Sequence, residues 1–148
     1  MLRDSLDGLR DLLNGTFPSV GQIYLNTVPD RFKRPSFFIA LVSNPEDALN
    51  KAMYQARATW QIVYFAPLDG SGFPEKFNQF SVSDTLKEKL MQDMVVTGPG
   101  GTVYHIRDVD GGPRDNEVYI TVQLETEKTR PVPEYELMQD VEHEFKGE

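Results

Sequence analysis

The sequence predicts an α+β fold. The expected form is a mostly antiparallel or mixed sheet of about four to six strands, with two main helices packed on one face. Three observations carry this. A leucine stripe at helical spacing opens the chain, at Leu2, Leu6, Leu9 and Leu13. A second apolar stripe, at Leu86, Leu90 and Met94, lies between the strand-like regions. Two runs, 54–65 and 117–125, alternate apolar and polar residues as half-buried strands do. At 148 residues and 39% hydrophobic content, the chain suits one domain with a substantial core. We place that domain at 1–133 and treat 134–148 as an acidic tail, serving as an arm or a final strand.

The first stripe predicts a helix over Leu2–Asn14, slightly weakened by Gly8 and ended by Gly15 and Pro18. Val20–Asn26 reads as a strand and Val28-Pro29-Asp30 as a turn. Arg31, Lys33 and Arg34 form a small basic loop, and Pro35 favours an extended Arg34. Ser36–Val42 is apolar on both alternations, the pattern of a central strand covered on both faces. Asn44-Pro45-Glu46-Asp47 has helix-start chemistry, yet Tyr54, Ala56, Ala58, Trp60, Ile62 and Tyr64 alternate. We therefore expect a turn or single helical turn, then a strand from about Tyr54 to Phe65.

Pro67–Phe73 reads as a flexible loop, and the second helix is expected to begin at Ser83. Gly98-Pro99-Gly100-Gly101 breaks the chain. Strands are expected over Thr102–Val109 and Glu117–Glu125, with Asp110–Asn116 as their hairpin loop. Val118, Ile120, Val122 and Leu124 form the core side of the last strand, and Tyr119, Thr121, Gln123 and Glu125 its polar side. Thr126–Pro133 reads as a charged linker. In the tail, Leu137, Met138, Val141 and Phe145 fit a helix, while Val141, His143 and Phe145 fit a strand.

The net charge of −8 is unevenly spread, because residues up to Arg107 balance and the excess acid follows Asp108. That argues against phosphate neutralisation as a binding mode, which needs clustered Lys and Arg. The absence of cysteine excludes disulfides and thiolate chemistry. The acidic, interrupted N-terminus is not expected to be a signal peptide, and no apolar run has transmembrane length, so no membrane partner is expected. "TGPGGT" lacks the lysine and spacing of a phosphate loop. "DVDGGPRDNE" has Pro113 and Tyr119 where a calcium loop needs glycine and glutamate. His105 and His143 have no ligand-spaced partners, and no nucleophile elbow is present. The sequence thus offers no catalytic, metal or cofactor residues, and we expect a protein that is not an enzyme.

Five segments occur in an order that resembles the tail terminator family of tailed bacteriophages: "LRDLLNGTFP", "IYLNTV", "FKRPSFFIALV", "WQIVYFAP" and "ELMQDVEHEFKGE". The chain departs from that pattern in the Gly/Pro-rich loop after Phe65, the "GPGG" segment and a more acidic C-terminus. The resemblance implies a small α/β domain assembled as a homohexameric ring. Such a ring caps the tail tube, stops its polymerisation and offers a surface for head–tail joining. The implied partners are further copies of the chain, the tail tube protein and a head-completion or connector protein, with DNA only in transit. The implied location is the tail or neck of the virion, assembled in the host cytoplasm. Candidate interface residues are Gln55, Arg57, Gln61, Tyr119 and Gln123 on the polar sheet face, with Tyr135, Leu137 and Met138 in the tail. Glu134, Glu136, Asp140, Glu142 and Glu144 are candidates for an acidic bore that repels passing DNA. The alternatives are another neck protein on the connector side and a small hydrolase whose site forms only on folding.

Overall fold

The computed structural model describes residues 1–130. Its elements, in chain order, are α1 (Leu2–Thr16), β1 (Ile23–Tyr24), β2 (Ser36–Ser43), β3 (Glu46–Ala48), β4 (Met53–Phe65), α2 (Lys76–Asp93), β5 (Val95–Thr97), β6 (Val103–Arg114) and β7 (Glu117–Thr129). The sheet is six strands wide in the order β1-β2-β4-β7-β6-β5, and β3 pairs with β4 beyond the end of β2. All pairings are antiparallel except β1 with β2, so the sheet is mixed.

Strands β4 and β7 form the spine, paired without interruption from Met53 opposite Thr129 to Tyr64 opposite Val118. Their alternation fixes the register, because a slip of one residue would turn the apolar set into solvent. Ala58, Trp60, Ile62 and Tyr64 of β4, and Val118, Ile120, Val122 and Leu124 of β7, join one core with Leu9 and Leu13 of α1 and Val82, Leu86 and Leu90 of α2. Both helices therefore cover the same face of the sheet, as expected for this fold class.

Helix α1 follows its leucine stripe and runs two residues past the expected end. Gly8 has a packing role: a Cβ there would lie 2.8 Å from the Thr97 carbonyl oxygen of β5, so glycine lets the helix sit on the strand. Trp60 Nε1 donates to Ser5 Oγ at 3.1 Å, which satisfies the buried indole. Asp4 accepts from the Gly100 amide at 2.9 Å and from the Tyr104 hydroxyl at 2.7 Å, tying the first turn of α1 to the β5–β6 turn.

Several expectations are corrected. Val20–Asn26 contributes only the two-residue β1. Strand β2 is not central or covered on both faces. It lies second from the edge, and Leu41 and Val42 are exposed beyond its buried Phe37 and Ile39. The helix-start chemistry at Asn44–Asp47 gives way to β3, because Asn44 Nδ2 donates to the Arg57 carbonyl at 2.6 Å and so serves β4. Helix α2 starts at Lys76, seven residues before Ser83. The region expected as a hairpin loop is mostly strand: β6 continues to Arg114, and only Asp115 and Asn116 form the turn. Gly111 makes this possible, since any side chain there would collide with the Tyr119 carbonyl oxygen. Pro113 is tolerated because β5 pairs only as far as His105, which leaves this part of β6 at the sheet edge. Thr126–Thr129 belongs to β7 and is not linker.

Candidate functional site

The face of the sheet opposite the helices carries the sequence-predicted residues. Gln55, Arg57 and Gln61 project from β4 and Tyr119 and Gln123 from β7, each half-buried, at positions that alternate with the core set. Register turns them into rows. Thr59 stands opposite Gln123, Gln61 opposite Thr121, and Val63 opposite Tyr119. Asp108 and Asp110 of β6 extend the first two rows.

At one end of this face Arg57 gathers a polar network. Its Nη2 donates to Gln55 Oε1 at 2.9 Å, and it pairs with Asp47 of β3 at 3.7 Å and Glu125 of β7 at 3.8 Å. Arg107 Nη1 reaches the same Glu125 carboxylate at 3.2 Å. Arg107 is the extra residue of a β-bulge between Ile106 and Asp108, and the bulge sets its direction. Partly exposed pairs of this kind contribute roughly 0–1 kcal/mol each, so they orient the face more than they stabilise the fold. Arg57 Nε is buried and makes no hydrogen bond.

At the other end, an open polar groove of about 870 Å³ is lined by Gln61, Tyr119, Thr121, Asp110, Arg114 and Lys87, among others. Tyr119 donates weakly to Glu117 Oε2 at 3.4 Å, and burial followed by the Glu117 charge pushes its phenol up. Asp84, Asp115 and Glu117 line it as well. The more strongly shifted groups lie elsewhere and have structural partners. Burial pushes Tyr64 up to about 12, and its hydroxyl donates to Asn78 Oδ1 at 2.6 Å. Asp4 is held below the usual carboxylate range by the Gly100 amide, then by Tyr104. Among the described residues no cluster of three or more carboxylate or imidazole groups is placed to hold a metal ion, and His105 is an exposed strand residue.

The structure thus brings all five sheet candidates to one face and adds Asp47, Arg107 and Glu125 to them. Asp47 was missed because its neighbours read as a helix start. Arg107 was missed because a bulge leaves no mark in simple alternation. Glu125 was legible as polar, but its shared role between two arginines follows only from register. Tyr135, Leu137 and Met138, and the bore candidates Glu134, Glu136, Asp140, Glu142 and Glu144, lie outside the described residues.

The described residues thus present one sheet face packed against both helices and an opposite face rich in polar side chains. The family model described as "Phage tail terminator protein" matches residues 5–136, and the chain belongs to that family. Its family role is structural rather than enzymatic: it is a component of the phage tail, and membership implies capping of the tail tube. No curated protein matches the chain.

Proposed function

We propose that copies of this chain close into a homohexameric ring on the end of the tail tube, and that the polar sheet face makes the contacts. One face of the ring then meets the tube, and the other receives a head-completion or connector protein. The observation that carries this reading is the alignment of Gln55, Arg57, Gln61, Tyr119 and Gln123 on the sheet face opposite the helix-packed core, which α2 reaches only at the Lys87 end. A cyclic ring needs two different patches on each subunit, and this face together with the opposite helical layer supplies two chemically distinct ones. The sheet face holds more carboxylates (Asp47, Asp108, Asp110, Glu117, Glu125, Glu127) than guanidiniums (Arg57, Arg107, Arg114), so its partner surface should be basic and polar. Assembly takes place in the host cytoplasm, and DNA crosses the finished neck without specific binding.

The test is electron microscopy of lysates from a phage with an early stop codon in this gene, complemented from a plasmid. Without complementation we expect headless tails of irregular, often excessive length beside DNA-filled heads. The wild-type plasmid should restore joined particles, and one encoding Arg57→Glu with Gln61→Glu should not. Free tails of normal length would move the protein to the connector side of the neck, and intact infectious particles would remove both placements.

A further inference from the structure

The β4 end at Phe65 carries an apolar surface within the helical layer, to which the ring reading assigns no particular residues. Helix α2 turns Phe77 and Phe80 outward, at 79% and 48% exposure, while Gln79, Val82, Ser83, Leu86 and Leu90 face the core. The preceding loop adds Phe73 at 64% and Leu68 at 49%. That loop is a formed structure. Leu68 bridges Pro74, Asp69 caps the Ser71 and Phe73 amides, and the Glu75 amide donates to the Pro67 carbonyl. The patch therefore has a fixed shape. Its exposed area is roughly 400 Å² on the 150–250 Å² that an aromatic side chain carries, comparable to the largest apolar patch of a typical monomer, which is often functional. Beside it runs a basic loop. Arg31 and Lys33 are exposed, and Arg34 is anchored by a 2.9 Å hydrogen bond to the Ala66 carbonyl and by its position 4.8 Å from the centre of the Phe32 ring. Lys76 is exposed at the start of α2, and these four cations outnumber the nearby Asp30, Asp69 and Glu75.

We propose that residues 131–148 of one copy dock on this aromatic and basic surface of a second copy. The segment has the complementary composition. Val132, Tyr135, Leu137, Met138, Val141 and Phe145 alternate with six carboxylates, against a single lysine. Where the segment begins decides for the second copy. Thr129 pairs with Met53 and the Arg130 amide donates to the Ala52 carbonyl, so the chain leaves the sheet at the end of β4 opposite Phe65. The two ends are about 40 Å apart at the rise of a strand. Eighteen residues fully extended span about 60 Å, so docking within one chain would use most of the apolar positions as tether. Docking on a neighbour placed head to tail removes that tether of about 40 Å, which leaves the apolar positions available for the patch. Acids engaged in this way are not free to line a bore. The inference deepens the ring reading and rests on it in requiring copies to meet head to tail.

Because the chain has no cysteine, single cysteines report the contact in full-length protein. Glu75→Cys sits beside the patch, Gln139→Cys lies in the segment, and Lys51→Cys marks the far end of β4. After mixing and oxidation, E75C with Q139C should give an interchain disulfide several-fold more often than K51C with Q139C. Adding Phe77→Asp and Phe80→Asp to the E75C chain should bring the yield to the control level. Salt at about 1 M, where the screening length falls to ~3 Å, should lower it. Equal yields in both mixtures would overturn the proposal, as would closure only within a double E75C/Q139C chain. Sedimentation of the wild type separates the two readings. A closed oligomer without the specific disulfide would leave the ring and remove the tail contact. Specific disulfides in species that never close would keep the contact and remove the ring.

Discussion

The two helices cover the same face of the same sheet, yet they treat their apolar residues differently. Helix α1 buries Leu9 and Leu13 completely and packs Leu2, Leu6 and Leu12 against the same core. Helix α2 buries Val82, Leu86 and Leu90 but leaves Phe77, Phe80 and Met91 in solvent. A helix whose only demand is its own core becomes amphipathic, and α1 is. A helix that serves the core on one side and a partner on the other is apolar on both. Elements that answer to two surfaces are therefore harder to read from sequence and more informative once seen.

The largest effect should come from α1. Leu9→Ala removes a fully buried side chain between helix and sheet and should cost about 2–5 kcal/mol, read as a lower urea midpoint with an unchanged slope. A loss below about 1 kcal/mol would show that α1 docks loosely, and the contrast with α2 would fall.

A smaller effect, with a pH signature, should follow Asp4→Asn. The folded carboxylate sits below its ordinary range, through the Gly100 amide and then Tyr104, so its contribution is present above the unfolded value. That contribution is lost as pH falls through the folded one. Thermal stability of the wild type should therefore drop more steeply on acidification than that of the variant. Tyr104 works in the opposite sense. Burial, then Asp4, pushes it up to about 12, so its contribution holds below the ordinary tyrosine value and fades as pH climbs towards 12. Parallel acid limbs in the two proteins would remove the tie between α1 and the β5–β6 turn as a stabilising element.

The smallest stability effect should come from Phe77→Ser with Phe80→Ser. Exposed positions away from the core usually shift stability by no more than about 0.5 kcal/mol. The variant should unfold like the wild type yet fail to restore joined particles in the complementation assay. A large stability loss would mean that these rings support the fold itself.

The legible parts of the fold were those with one periodicity and one environment. The alternation of β4 and β7 places the core and the polar face together, so Gln55, Arg57, Gln61, Tyr119 and Gln123 are legible from the sequence alone. Local chemistry failed where long-range pairing overruled it. Asn44 and Pro45 look like a helix start, but the Asn44 side chain and the Pro45 carbonyl both bond Arg57 of β4. The early start of α2 was hidden because Glu75 makes no side-chain cap and the first outward residues are aromatic. Gly111, Gly112 and Pro113 read as loop, whereas the strand needs a glycine against Tyr119 and has an open edge for the proline.

Both outer strands of the sheet are very short: β1 has two residues and β5 has three. Beside β1, a bulge between Leu41 and Ser43 interrupts β2 before a longer edge can form. A long flat edge recruits strands from other molecules, and its growth has no natural limit. Here each outermost strand offers an arriving strand at most three residues, and the open stretch of β6 beyond β5 contains Pro113, which cannot donate to a new pairing. A protein whose family role is to cap a polymer thus carries edge features that discourage strand addition to itself.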